Sequence, residues 1–320
     1  MVQSHIIETA AQFIREGKIV AFPTETVYGL GANALDPMAV AKIFEAKERP
    51  SFDPLIIHIA DISDIERLTD VRDDRIYQLA GKFWPGSLTI ILPKNKLVPD
   101  LVTSGLPTVG IRIPANEIAL QLIRASGCPI AAPSANKFGR ISPTTAQHVK
   151  KQLPDIDYII DGGKTNVGVE STIIKLTERG FRILRNGIIT REEIEILVPY
   201  DDQPENEMID SVVAPGMVKS HYSPSKKMLI AGRFVPAGVN KSKAGFISFT
   251  GHYDKDYRKV IRVSLTNDLK EYAVNMYDAM HTLEDDDAIE IIIAEPVPEK
   301  GIGIAIMDRL KKAEYHWKQK

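Results

Sequence analysis

The first candidate for chemistry is a loop that carries two cations between prolines. Lys47 and Arg49 lie two residues apart, Asp53 follows them, and Pro50 and Pro54 restrict the backbone of the loop. Cationic side chains on a restricted loop are suited to binding anions such as phosphates. An exposed helix end, where Lys and Arg interact favourably with the helix dipole, is the stronger interpretation of this segment taken alone.

The second candidate is a predicted strand with two unlike faces. Alternation along Thr108–Pro114 puts aliphatic side chains on one face, and Thr108, Gly110 and Arg112 on the other. Glycine allows close approach to the backbone, and a guanidinium can grip a carboxylate or a phosphate. The pattern indicates the floor of a binding site, although an exposed sheet face or a structural ion pair explains it nearly as well.

The third candidate is a loop that follows the apolar run Ile130–Ala132. It holds Ser134 and Asn136, with Ser142 close behind, and capping of a turn is the alternative interpretation. Together the three segments supply cations, hydroxyls and an amide, without a cysteine nucleophile or a convincing Ser-His-Asp order. Such a set is typical of phosphoryl or nucleotidyl transfer, where catalysis is mostly positioning and neutralisation of charge.

Neither a metal site held by protein ligands nor a dinucleotide-binding loop is predicted. Gly29-x-Gly31-x-x-Ala34 resembles the dinucleotide fingerprint, but it lacks the strand-glycine-helix junction that the fingerprint needs. A phosphate-binding loop ending near Lys164 would begin inside an apolar strand, so we reject it too. No histidine has a partner at metal-ligand spacing, and we expect surface or capping roles for His5, His148, His252, His281 and His316.

Composition limits the class of protein. The net charge of −2 and the pI near 6.4 argue against a large sequence-independent nucleic-acid surface. The single cysteine, Cys128, excludes an internal disulfide, and we expect it to be a small buried side chain in a reducing compartment. Because no apolar run is long enough to span a bilayer, we expect a cytoplasmic protein without a membrane partner.

Two α/β domains joined by a linker are predicted to position these residues. Apolar runs alternate with helical periodicity through residues 1–198, and an acidic, proline-flanked stretch in residues 199–227 is typical of a linker. Strands and helices alternate again through residues 228–320. The strands predicted in the first domain are Ile19–Phe22, Leu55–Ile59, Leu88–Leu92, Val109–Ile113, Ile130–Ala132, Tyr158–Ile160 and Thr172–Leu176. The elements predicted in the second are strands Gly245–Phe249, Val260–Val263 and Ala288–Ala294, a helix over Leu269–Leu283 and a helix over Ile304–Lys312.

The candidate segments also form a recognisable series along the chain. In the first domain the series is Pro23–Leu30, Lys47–Leu55, Gly110–Pro114 and Ala132–Asn136. It continues with Ala214–Met217, His221–Pro224, Ala294–Pro298 and Gly303–Leu310. In this order the motifs resemble the threonylcarbamoyl-AMP synthase family, the YrdC-like proteins, in its long two-domain form. The resemblance implies an α/β fold with a YrdC-like twisted sheet and flanking helices, plus a small Rossmann-like α/β C-terminal domain.

The resemblance further implies an enzyme that condenses L-threonine, bicarbonate and ATP into threonylcarbamoyl-AMP and pyrophosphate, with Mg²⁺ accompanying ATP. The product would feed a downstream tRNA threonylcarbamoyl transferase complex, and no tight tRNA binding by this chain is expected. The residues implied for catalysis are Lys47, Arg49, Ser134 and Asn136. Those implied for threonine binding are Thr26, His58, Arg112, Ala132 and Ser171. Those implied for ATP binding are Arg49, Asp53, Thr108, Ser134, Ser142 and Arg185.

The linker changes from acidic to apolar after Asp210. Burial of apolar side chains is worth about 25 cal/mol per Å², so we expect the segment Pro215–Tyr222 to pack over the nucleotide pocket as a lid, with bridging of the two domains as the alternative. The lid residues are Pro215, Met217, His221 and Tyr222. Two other functions stay open at this point: an RNA-binding YrdC-like module, and a carbamoyl-adenylating enzyme that acts on carbamoyl phosphate.

Overall fold

The computed structural model describes residues 2–203, 214–216, 222–232, 238–251 and 256–318. Met217 and His221 of the expected lid lie outside the described residues, as do residues 204–210 of the acidic stretch. The α-helices are α1 (Val2–Arg15), α2 (Pro37–Lys47), α3 (Asp74–Phe83), α4 (Asp100–Thr103), α5 (Glu117–Ser126), α6 (Ala146–Gln152), α7 (Arg191–Glu195), α8 (Leu269–Glu284) and α9 (Ile302–Lys318). The strands are β1 (Val20–Pro23), β2 (Tyr28–Asn33), β3 (Ile56–His58), β4 (Leu88–Pro93), β5 (Thr108–Arg112), β6 (Ile130–Ala131), β7 (Tyr158–Ile159), β8 (Thr172–Leu176), β9 (Phe181–Arg185), β10 (Lys227–Ile230), β11 (Ala244–Ser248), β12 (Lys259–Arg262) and β13 (Ile291–Ala294).

The first domain is built on a mixed sheet with the strand order β7-β1-β2-β6-β3-β5-β4-β8-β9. This sheet with its flanking helices confirms the predicted α/β class. Strand β2 was not predicted, because its sequence YGLGAN has little β propensity. A Cβ at Gly31 would lie 2.6 Å from Phe22 and 2.7 Å from Ile130, so close packing explains this glycine and the dinucleotide-binding loop stays rejected.

Helix α2 determines where the first candidate loop begins. Asp36 caps the helix by accepting a main-chain hydrogen bond of 2.9 Å, and Pro37 occupies its first turn, as the Asp-Pro pair in the sequence indicates. The helix ends at Glu48, whose φ of 52° is left-handed and whose N–H returns to carbonyls of the last turn. This ending leaves Lys47 in the last turn of the helix and directs Arg49 into the loop.

Strand β5 has the two faces that its sequence predicts. Val109 and Ile111 belong to the main hydrophobic core. Gly110 and Arg112 face away from that core, where a Cβ at Gly110 would lie 3.2–3.4 Å from side chains of the two neighbouring strands. The glycine therefore lets the two neighbouring strands pack closely on the face of the sheet that carries Arg112.

The second domain is a parallel sheet with the order β10-β13-β11-β12, packed against α8 and α9. It confirms the expected small Rossmann-like domain, and β10 is a strand that the sequence did not predict. The apolar face expected for α8 is buried, as Tyr272, Met276 and Leu283 illustrate. The helix therefore contributes to the core that joins the two domains, because the same cluster includes Ile141 and Val169 of the first domain.

Charged and close main-chain contacts join the two domains. Lys164 lies 2.8 Å from Asp278, and Arg140 lies 3.6 Å from Glu284. A partly exposed pair such as Lys164 with Asp278 contributes on the order of 0–1 kcal/mol, so it sets orientation more than affinity. A close main-chain approach lies at Gly168, where a Cβ would lie 2.3 Å from the carbonyl oxygen of α8 residue Ala273.

Two histidines lie together at the junction between the domains. The ring of His281, which is 1% exposed, stacks on that of His148 with centroids 3.8 Å apart, and its Nε2 lies 3.2 Å from the Ser142 carbonyl. The surface or capping role expected for His281 is wrong, because docking of the domains buries it. Burial lowers the pKa of His148 to about 4 and also lowers that of His281. His252 and the side chain of His316 lie outside the described residues.

An acidic linker is expected to be solvated, but the beginning of this stretch packs against the first domain. Asp201 is buried, lies 3.3 Å from Arg182, and donates its main-chain N–H to the Phe181 carbonyl. The expectation is wrong for Asp201, because Arg182 on the edge strand supplies a counter-charge. Elsewhere, Cys128 packs half-buried against the core, where burial raises its pKa to about 11. Within the described ranges, we find no helix with the length and apolar character that a bilayer crossing needs.

Replacing Gly168 with Ala is expected to destabilise the contact between the domains. The new Cβ would meet the backbone of α8, and the φ of +77° would add strain of about 1–2 kcal/mol. Gly163→Ala is the matched control, since its φ is +78° but no atom lies within 4 Å. In denaturant unfolding, Gly168→Ala should lose about 1–3 kcal/mol more than Gly163→Ala. Equal losses would contradict the close approach.

Candidate active site

A cavity lies between the candidate segments of the first domain and the linker. It brings together residues from strands, loops and linker that are far apart in the chain. The predicted site residues that line it are Thr26, Arg49, His58, Arg112, Ala132, Ser134, Ser171 and Arg185, with Pro215 and Tyr222 of the expected lid. The predicted residues outside its lining are Lys47, Asp53, Thr108, Asn136 and Ser142.

A carboxylate that the sequence analysis did not identify holds Arg112 in place. The guanidinium pairs with Glu25 at 2.5 Å, and it donates to the Thr26 hydroxyl at 3.1 Å and to the Gly86 carbonyl at 3.0 Å. Three of its five N–H groups are used in this way, so two remain for a ligand. The signal that could have revealed Glu25 is an acidic residue between two threonines, directly after an apolar strand.

The charge states beside Arg112 are set by burial and by the ion pair. Burial acts to raise the pKa of Glu25, but Arg112 and a hydrogen bond from Ser87 outweigh it and hold that pKa below 4.5. Burial, and then Arg112, lowers the pKa of His58 to about 3. The imidazole is therefore neutral near pH 7, and its Nδ1 has no hydrogen-bond partner among the described residues. It can offer a ligand a hydrogen bond but no charge.

Lys47 holds the loop that carries Ser134. The lysine is 1% exposed, and its Nζ donates to the Ser134 carbonyl at 2.6 Å and to the Asn136 carbonyl. The Asn136 amide in turn donates to two later carbonyls of the same loop, at 2.8 and 3.0 Å. Burial is the main cause that lowers the pKa of Lys47 well below its ordinary value. Lys47 and Asn136, both implied in catalysis, thus position the loop from which Ser134 reaches the cavity.

Arg49 is paired within its own loop. Its Nη2 lies 2.9 Å from the Asp53 carboxylate, and it also donates to the carbonyls of Asp53 and Pro54 at 3.0 and 2.9 Å. Burial raises the pKa of Asp53, while Arg49 acts in the opposite direction. Asp53 is therefore a counter-ion of Arg49, and Arg49 alone of this pair lines the cavity.

Among the described residues, the hydrogen-bond partners of Arg185 are all neutral. It donates to the main-chain and side-chain oxygens of Ser171, both at 3.0 Å, and to the Pro215 carbonyl at 3.3 Å. In the part of the chain that the structure describes, no carboxylate lies within 4.0 Å of it. A buried cation without a counter-ion is unfavourable, so this end of the cavity favours an anionic ligand.

The C-terminal domain reaches the cavity wall at Glu170. This carboxylate accepts hydrogen bonds from Ser142 at 2.5 Å, from Tyr277 at 3.1 Å and from Arg309 at 3.0 Å. Burial acts to raise the pKa of Glu170, but Arg309 and then Arg185 outweigh it. The Ser142 hydroxyl is consequently directed at Glu170 instead of the cavity. No role was assigned to Glu170, Tyr277 or Arg309 from the sequence, since their meeting depends on how the domains dock.

The described part of the linker lies directly on the cavity. A Cβ at Gly216 would lie 2.5 Å from the Tyr222 hydroxyl and 3.2 Å from Arg185, so this glycine is needed for the close packing. The Gly216 carbonyl accepts from Lys312 of α9 at 2.7 Å, and the Tyr222 ring lies 5.2 Å from the Arg309 guanidinium. The linker is thus held from both domains.

The carboxylates of the site form ion pairs with arginines. Among the described residues, no group of three or more His, Cys, Asp or Glu side chains is arranged to hold a metal ion. The ion pairs are Asp53 with Arg49, Glu25 with Arg112 and Glu170 with Arg309.

Known proteins match both domains of the chain. Residues 12–187 match the Sua5_yciO_yrdC family model, described as telomere recombination, and residues 189–314 match threonylcarbamoyl-AMP synthase, C-terminal domain. The threonylcarbamoyl-AMP synthase of Pyrococcus abyssi is 46% identical, with 96% of this chain and 93% of that protein covered. The chain belongs to the threonylcarbamoyl-AMP synthase family. The family member from Bacillus subtilis is 43% identical, with 96% of this chain and 92% of that protein covered.

A solved structure of the family supports the fold of the whole chain. The crystal structure of P. abyssi Sua5 complexed with L-threonine matches with a TM-score of 0.85 and 45% identity, covering 96% of this chain and 94% of that one. The family expected from the motifs is therefore confirmed, as is the YrdC-like fold with a small C-terminal domain.

Glu25→Gln is expected to lower the free energy of unfolding by about 3–5 kcal/mol, because it leaves Arg112 buried without a counter-ion. The pKa of Glu25 is lowered in the folded state, so its stabilisation is present above the ordinary value of 4.5 and is lost as the pH falls through the folded pKa. The difference between wild type and variant should thus be largest at neutral pH and shrink below pH 4.5. Urea unfolding at several pH values measures it, and a difference independent of pH would contradict the pairing.

Proposed function

We propose that this chain is a threonylcarbamoyl-AMP synthase, which condenses L-threonine, bicarbonate and ATP into threonylcarbamoyl-AMP and releases pyrophosphate. The observation that carries the proposal is one cavity lined by two guanidinium groups, one paired with a carboxylate and one with neutral partners. Arg112 is neutralised by Glu25 and keeps two N–H groups, which suits a small carboxylate. Arg185 has no carboxylate partner among the described residues, which suits a phosphate. A reaction that joins an amino acid to a nucleotide needs both sites side by side.

Threonine fits the Arg112 end of the cavity. Its carboxylate would accept the remaining N–H groups of Arg112, and the neutral ring of His58 is available for a hydrogen bond. The small Ala132 on the same wall leaves room for a compact side chain. The amine of threonine then combines with bicarbonate to form a carbamate, with loss of one water. Binding of this kind contributes through orientation of the nucleophile.

ATP fits the Arg185 end of the cavity. One carbamate oxygen attacks the α-phosphorus, the bond to the β-phosphate oxygen breaks, and pyrophosphate leaves. Arg185 and Arg49 both line the wall and would neutralise charge on the phosphates, while Lys47 acts through the loop that carries Ser134. Mg²⁺ bound with ATP would add to this neutralisation. No covalent enzyme intermediate is required.

The contacts of the linker support its role as a lid over the end of the cavity that we assign to the phosphates. Pro215 and Gly216 contact Arg185, the residue that we assign to ATP. A mixed anhydride reacts with water, so a cover at this place would protect the product. We extend the lid to Met217 and His221 on the basis of the sequence.

The product determines what must follow in the cell. A mixed carbamic-phosphoric anhydride is consumed by transfer of its acyl group, and we propose a cytoplasmic tRNA threonylcarbamoyl transferase as the enzyme that consumes it. The net charge of −2 disfavours tight binding of tRNA to this chain, so the product would be released and then used by the transferase.

Pyrophosphate and an AMP-containing product are expected only when threonine, bicarbonate, ATP and Mg²⁺ are all present, because threonine supplies the nucleophile. Each component is omitted in turn from assays of the full chain, with pyrophosphate release and chromatography of the nucleotides as readouts. Carbamoyl phosphate in place of threonine and bicarbonate is the control for the alternative adenylating activity. Equal pyrophosphate release without threonine would refute the assignment.

Arg112→Met and Arg185→Met are expected to damage different substrates. The first should raise the KM for threonine most and the second the KM for ATP, each by an amount equivalent to about 2–5 kcal/mol. Both variants remove one buried guanidinium and keep an apolar chain of similar length, so each is the control for the other. Equal rises in both KM values for both variants would contradict the division of the cavity.

A further inference from the structure

Helix α9 places a fully buried arginine against the wall of the cavity. Arg309 is 0% exposed, and its Nε donates to Glu170 at 3.0 Å. Its Nη1 donates to the Asn186 carbonyl at 2.6 Å and lies 3.0 Å from Asp308. Glu170 lines the cavity, so a side chain of the C-terminal domain completes the environment of a residue in the active-site wall.

Burial of Arg309 between the two domains has an unfavourable desolvation free energy. Its Nη2 is buried without a hydrogen-bond partner among the described residues, and the Tyr222 ring covers the guanidinium. Buried ion pairs often contribute less stability than apolar side chains of the same size, and an unsatisfied buried donor adds a further cost. The arginine is therefore better explained by what it does to Glu170 than by stability.

Glu170 lies next to the residue that holds Arg185. Ser171 follows it in sequence and accepts two hydrogen bonds of 3.0 Å from Arg185. The Glu170 carboxylate faces Arg309 from α9 and Tyr277 from α8. It also faces Ser142 from the loop between β6 and α6, and Arg185 from β9 at longer range. With Arg309 removed, Arg185 would be the nearby cation left to pair with this carboxylate.

We propose that Arg309 is a positioning residue of the active site: by neutralising Glu170, it keeps Arg185 without a counter-ion and available to the phosphates of ATP. The inference rests on the proposed function and assigns part of the ATP site to the C-terminal domain. The threonine end depends on it less, because Thr26, His58 and Arg112 stand on other elements and Arg112 has its own carboxylate.

The test measures binding by the full chain of two probes, a non-hydrolysable ATP analogue with Mg²⁺ and L-threonine, by titration calorimetry. Arg309→Met should weaken binding of the analogue about 10- to 100-fold and change threonine binding far less. The double variant with Glu170→Gln should recover most of that loss, because no carboxylate then competes for Arg185. Lys164→Ala is the control for docking alone, since it breaks an ion pair between the domains on the surface.

Several outcomes would overturn the inference. A double variant that binds the analogue no better than Arg309→Met would do so. A second such outcome is that Arg309→Met weakens binding of the analogue and of threonine equally, and that Lys164→Ala weakens both to the same extent. If Arg309→Met does not fold, Arg309→Lys retains the charge and should bind the analogue close to wild type; loss of binding in that variant would also overturn it.

The binding measurements separate this inference from the proposed function. A wild-type protein that binds both probes but forms no threonylcarbamoyl-AMP would refute the function, and the Arg309 inference would still be decided by the variants. A wild-type protein that does not bind the ATP analogue would refute both.

Discussion

Burial of arginine is the constraint on which this structure depends. A guanidinium removed from water costs several kcal/mol unless a carboxylate and well-placed acceptors compensate it. Among the described residues, four buried arginines lie in the cavity wall or next to it. Three of them have at least one carboxylate partner, and the partners of the fourth are all neutral. That uneven distribution gives the cavity a fixed positive end. The buried arginines are Arg49, Arg112, Arg185 and Arg309.

The need to place those counter-ions explains why both domains contribute to one site. Glu25 comes from the turn between β1 and β2, and Asp53 from the loop after α2. Glu170 precedes β8, but its arginine comes from α9 of the C-terminal domain. The linker is fixed on the cavity by Arg185 on one side and Lys312 on the other. The second domain therefore contributes to the structure around the cavity.

The chemistry that such a site can perform follows from its charge states. His58 is neutral near pH 7, because burial and Arg112 lower its pKa to about 3, and Glu25 is ionised, because Arg112 outweighs its burial. Lys47 is engaged with main-chain carbonyls. Side chains held in this way are suited to fixing the position and charge of the groups around them, and not to exchanging protons with a ligand. This matches nucleotidyl transfer, in which positioning and neutralisation of charge provide most of the catalysis.

The sequence by itself determined the features that depend on a few neighbouring residues. The cap at Asp36, the two faces of β5 and the short motifs that identify the family are of this kind. The strand formed by YGLGAN and the burial of His281 were decided by the tertiary structure, because packing against distant residues overrides local preference. Two of the ion pairs of the site were decided in the same way, whereas Arg49 and Asp53 lie within one loop. Glu25 and Arg112 are 87 residues apart, and Glu170 and Arg309 are 139 apart. Two distant charges pair only when the fold buries them side by side. Their spacing along the chain therefore does not predict the ion pair.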